Sequence, residues 1–149
     1  MQKDLAFHIP TYTDDNLTFP KPVNDSYAYW GPLLKYFLLN SDTIEIHCWN
    51  EEHDAIEEIK GHYSLEMFNE ENMTVFKGKK TSTLSNYLLN DHINDRGEFK
   101  WFTVNLEKGN VPIFHSGHWG TEFFVPNVKG KDIELIKSLI PTETSFEGI

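Results

Sequence analysis

The sequence predicts an α+β fold, with a mainly antiparallel sheet of about five or six strands and three or four helices packed on it. Three observations carry that expectation. Short stretches alternate apolar and polar residues as half-buried strands do, most clearly Thr43 to Trp49. Longer stretches place apolar residues at three-to-four spacing, as one face of a helix does. Tight turn sequences join neighbouring strands, so helices and hairpins are grouped rather than strictly alternating, unlike a parallel sheet.

The chain of 149 residues has the size of one domain, and no repeat or low-complexity linker divides it. It is read as a single domain over 1–149, with residues 1–25 an irregular N-terminal arm. Pro10, Pro20 and Pro22 interrupt regular structure there, while Phe7, Ile9, Tyr12 and Phe19 lay the arm on the core. Pro32 suits the first turn of a helix whose buried stripe is Leu33, Leu34, Phe37 and Leu38. Thr43 to Trp49 follows as a strand, with Ile44, Ile46 and Cys48 on one face and Glu45, His47 and Trp49 on the other. Asn50 caps a second helix that runs to Lys60 and stops at Gly61; Glu51 and Glu52 suit its positive end.

Tyr63 to Phe68 and Met73 to Lys77 read as a hairpin turning at 69–72. Thr81 or Ser82 caps a third helix through His92 that turns Leu84, Tyr87 and Leu88 inward. After the turn Asp95-Arg96-Gly97 come strands Phe99 to Leu106, Val111 to His115 and Thr121 to Val125. The tight Lys108-Gly109-Asn110 connection makes the first two antiparallel neighbours. A last helix, Lys131 to Ile140, stops before Pro141.

The formal charge is −10, and it is unevenly spread. From Asp42 to Glu71 there are ten acidic residues against the single base Lys60, whereas the rest of the chain is nearly neutral. Such a field repels phosphates, which argues against nucleic acid and anionic membranes as partners and for a basic protein. One cysteine excludes an internal disulfide and fits a reducing compartment, and no export signal or membrane-length apolar run is present, so a cytoplasmic location is expected.

Three chemistries compete for the stretch His47-Cys48-Trp49-Asn50-Glu51-Glu52-His53-Asp54. A cysteine nucleophile needs a lowered pKa and a base, but Cys48 is in register with Ile44 and Ile46 and reads as core. A metal needs converging ligands. His115, His118 and His53 are the candidates, yet no HExxH or CxxC pattern supports them, so no metal and no cofactor are expected. A small metal-assisted or acid–base hydrolase using His115, His118 and Glu122 stands as the alternative function.

The favoured expectation is a binding protein. Glu45, Trp49, Glu51, Glu52, Asp54, Glu57 and Glu58 would form its partner-binding face, carboxylates orienting a basic partner around an aromatic anchor. In size, charge and lack of catalytic motifs the chain is similar to small acidic proteins that neutralise basic toxins, such as the immunity proteins of bacterial nuclease toxins. That likeness implies an immunity or antitoxin-type inhibitor of a basic, nuclease-like toxin. The oligomeric state is not legible from the sequence.

Overall fold

The computed structural model describes residues 3–13, 19–62 and 65–148, with the side chain of His62 left aside. Its strands are β1 (Lys3–His8), β2 (Thr11–Tyr12), β3 (Lys21–Pro22), β4 (Thr43–Trp49), β5 (Glu66–Glu70), β6 (Met73–Lys79), β7 (Thr103–Lys108), β8 (Val111–Gly117), β9 (Glu122–Val128) and β10 (Ser145–Gly148). Its helices are α1 (Trp30–Leu38), α2 (His53–His62), α3 (Ser82–Asn90) and α4 (Gly130–Leu139). Eight strands form one antiparallel sheet in the order β10-β1-β9-β8-β7-β4-β6-β5, while β2 and β3 pair separately. The fold is therefore α+β, with more strands than expected.

The extra strands come mainly from the two ends of the chain. Residues 1–25 were expected to be irregular, but Lys3–His8 is an inner strand held between β10 and β9. The reason is visible in its side chains: Leu5 and Phe7 are buried, and Asp4, Ala6 and His8 alternate with them. Residues 14–18 of that arm, and Tyr63 and Ser64 at the expected start of a hairpin strand, lie outside the described residues. The strand expected from Phe99 starts only at Thr103, because Lys100 N–H instead bonds the carbonyl of His92 (2.9 Å) and Phe99 bridges Ile93.

Helices cover one face of the sheet. Ile44, Ile46, Val104, Leu106, Phe114, Phe123 and Val125 point into a core completed by Trp30, Leu33, Leu34, Leu84, Leu88, Ile59 and Ile136. The Trp30 indole donates to the Leu88 carbonyl (2.8 Å) and ties α1 to α3. Thr81 caps α3, its hydroxyl accepting from Leu84 N–H (3.1 Å), as expected. Cys48 is fully buried among apolar residues, and burial pushes its thiol pKa up, the opposite of an activated nucleophile. No helix among the described residues is long and apolar enough to cross a membrane.

Candidate functional site

Two polar constellations stand out, one on each side of the sheet. The first is a groove of about 460 Å³ between α2 and the loop that follows α3. Asn50 does not cap α2 as expected. Its side-chain oxygen accepts from the Thr74 hydroxyl (2.8 Å), and Glu52 organises the turn instead. One Glu52 oxygen accepts from Trp49 N–H (2.9 Å) and the other from the Trp119 indole (3.0 Å). Burial raises the Glu52 pKa, and these two hydrogen bonds only partly offset it.

Nearly two turns further along α2, Glu58 receives Tyr87 OH (2.6 Å) and Lys100 Nζ (2.7 Å). The opposite wall is shaped by Asn94, whose side-chain oxygen accepts from the N–H groups of Arg96 (2.9 Å) and Glu98 (3.0 Å), folding the turn that brings Asp95 toward α2. Five carboxylates line the groove, Glu51, Glu52, Asp54, Glu58 and Asp95, against two bases, Arg96 and Lys100. Both bases are already paired, Lys100 with Glu58 and Arg96 with Glu98 (2.9 Å) outside the lining. Arg96 also acts on Asp54 and Asp95 through space, yet five lining carboxylates and Glu98 outnumber the two bases, so the field that remains is negative and suits a cation.

Four of the seven expected partner-binding residues thus converge: Glu51, Glu52, Asp54 and Glu58. Glu57 is outside the lining and pairs with Lys60 one turn on (3.7 Å). Trp49 is half-buried against Phe102, ring centroids 5.0 Å apart, and reaches the groove only through its N–H on Glu52. Glu45 belongs to the other face of the sheet. Sequence reasoning missed Asp95, Arg96 and Lys100. Their turn was legible, but its approach to α2 depends on tertiary packing.

The second constellation lies across the sheet from the helices. Strand register sets Lys77, Glu45, Asn105 and His115 side by side on four successive strands. Glu45 Oε1 bonds His47 Nε2 (2.7 Å) and accepts from the Asn105 amide (3.1 Å), while Lys77 lies 3.7 Å from Glu45 Oε2. Because the Asn105 amide nitrogen faces a carboxylate, its oxygen faces His115 Nδ1 (2.6 Å), which must donate. Neutral His115 therefore carries its lone pair on Nε2, in the space left by the missing side chain of Gly117, where a Cβ would come within 2.8 Å. Burial, with His47 nearby, pushes the His115 pKa down. Burial alone would raise the Glu45 carboxyl, but His47, Asn105 and Lys77 hold it below its ordinary value.

His118 and Trp119 follow in a tight turn, both in the left-handed backbone region (φ 51° and 55°) ahead of Gly120 (φ 75°). His118 Nδ1 is 3.0 Å from Glu122 Oε2, and His8 Nδ1 is 3.5 Å from Glu122 Oε1. Of the three residues of the hydrolase alternative, His118 pairs with Glu122, while His115 hydrogen-bonds Asn105 and lies on the same face as Glu122, within reach of its charge. The metal candidates do separate, since His53 lines the groove. Among the described residues no group of three or more His, Cys, Asp or Glu side chains is placed to hold a metal ion. No protein-family model, no curated protein and no solved structure matches the chain.

Proposed function

We propose that the chain works by binding, as an immunity or antitoxin-type inhibitor that takes a cationic surface of a basic protein, such as a nuclease toxin, into the groove between α2 and the 91–98 loop. The observation that supports it is the charge left over in that groove: five carboxylates line it against two bases already engaged. Glu51, Asp54 and Asp95 are exposed and form no hydrogen bond or ion pair with another described side chain, so they are available to a partner at little desolvation cost. Glu52 and Glu58 shape the walls. A nuclease cleft that holds phosphates would meet carboxylates here in their place, and substrate would be excluded.

The test uses protein immobilised to capture basic partners, with the purified hit then titrated calorimetrically against wild type and the triple variant E51K/D54K/D95K. All three changes are on exposed side chains and leave Glu52 and Glu58 intact. Rim charges act mainly through association rate and salt dependence. Binding is expected to weaken at least about tenfold in the variant, or about 1.4 kcal/mol. Equal affinity for the two proteins would remove the groove from the mechanism.

A further inference from the structure

We propose that the free edge of β5 is a second docking site, where an extended cationic segment of a partner protein adds to the sheet as an antiparallel ninth strand. This inference rests on the β5 edge alone and is independent of the groove. Among the described residues β5 is the terminal strand of the sheet, and its register with β6 runs unbroken from Glu66 opposite Lys77 to Glu70 opposite Met73. All five of its residues are exposed. Met67 (47% exposed) and Phe68 (40%) are adjacent, so they stand on opposite faces and leave apolar surface on both sides of the edge.

Natural sheets blunt such an edge with charged side chains, lysine above all, or with proline, a bulge or a very short strand. The other terminal strand, β10, has only four residues, and the Lys137 ammonium lies 5.3 Å from the ring centroid of its Phe146. β5 has neither lysine nor proline, and its pairing carries no bulge. Its charges are all negative: Glu66 and Glu70 lie on the same face as Phe68, two positions either side, and Glu71 follows. Lys77, opposite Glu66, lies within 3.7 Å of Glu45 and 3.5 Å of Glu107, so it is shared between two other carboxylates.

The same pattern identifies the occupant. A second copy pairing antiparallel about Phe68 would set Glu66 directly opposite Glu70, twice, and like charges directly opposite are destabilising. A strand with Lys or Arg at two positions four apart, and an apolar residue midway, meets Glu66, Phe68 and Glu70 in register. Backbone hydrogen bonds along the edge would supply affinity, and the two charge pairs would fix the register.

The probe is a peptide, acetyl-Thr-Lys-Thr-Val-Thr-Lys-Thr-amide, titrated into ¹⁵N-labelled protein, with a second peptide carrying proline in place of the two threonines that flank the valine, whose N–H groups would face the outward carbonyls of Met67 and Asn69. The expected result is movement of the amide resonances of residues 66–70, with binding weakened about tenfold both by proline and by E66K/E70K, from two attractive pairs becoming repulsive. E51K/D54K/D95K should leave that binding unchanged. The spectra themselves report whether each variant keeps its fold. Shifts confined to residues 51–58 and 95, no shifts at all, or peptide affinity indifferent to E66K/E70K would each overturn the β5 site. The groove reading would still stand or fall on its own partner titration.

Discussion

Glu45 shows most directly how one side chain can hold a cluster together. Only 17% of its side chain is exposed, and it accepts from both His47 and Asn105. Its removal strands both donors on a half-buried surface, so Glu45→Ala should cost about 2–3 kcal/mol, read as a lower urea midpoint at unchanged slope. The histidines give a sign for the pH dependence. His115 and His92 are held below the ordinary histidine value of 6.5, in both cases by burial first. The unfolded chain takes up those protons near that value and the folded chain does not. Their contribution to stability is therefore complete above it and lost as pH falls through the folded values. The thermal midpoint should drop from pH 7.5 toward pH 5.5, and His115→Asn should reduce the drop; an unchanged pH profile in that variant would remove His115 from the explanation. Glu52 has the opposite sign. Burial raises it, so its contribution to folding is greatest at low pH, whereas a cation in the groove favours its ionised form. Partner affinity should begin to fall at a higher pH on acidification than an ordinary glutamate would give, and less so in Glu52→Gln.

At the scale of elements, the turn between β8 and β9 stores backbone strain. His118 and Trp119 in the left-handed region cost about 1–3 kcal/mol each, and tertiary contacts must over-determine them. Those contacts are visible: Thr121 OH on the His118 carbonyl (2.7 Å), Trp119 N–H on the Phe102 carbonyl (3.1 Å), and the indole on Glu52. Gly120 has φ 75°, and an added Cβ would meet the Phe99 ring at 3.0 Å. Gly120→Ala should therefore destabilise by about 2 kcal/mol or more, and Thr81→Ala, which removes only the α3 cap, by about 1 kcal/mol, both measured by denaturant unfolding. The elements also show what local sequence can and cannot specify. β4 was legible because seven residues alternate without interruption and both faces have a use. β1 was not. Its alternation is just as regular, but the prolines and polar residues after it pointed to an irregular arm, and only pairing with β9 and β10 makes it a strand. β10, exposed along its whole length, carries no burial pattern to read.

For the whole molecule, the question is where the fold places a charge imbalance that the sequence shows only as a count. The acids of α2 were legible as neighbours because helix and turn geometry are local. Separating Glu45 from them required the sheet, since α2 packs on the helix side and Glu45 faces the other way. Bringing Asp95 to them, and Lys100 to Glu58, required contacts about forty residues apart in the chain. The fold offsets some of these acids and leaves a patch at Glu51, Glu52, Asp54 and Asp95. Three of those residues are exposed, but Glu51 and Asp54 lie at the positive end of α2, so E51K/D54K/D95K should lower stability by about 0.5–1 kcal/mol for each of those two substitutions and less for Asp95, while changing the surface potential greatly. That potential can be measured without a partner. Cationic and anionic nitroxide cosolutes each broaden nearby amide resonances in proportion to their local concentration. At residues 51–55 and 95 the cationic probe should broaden more strongly than the anionic one, and the order should reverse in the triple variant. Equal broadening by the two probes there would contradict a cation-binding groove, and with it the proposed mode of inhibition.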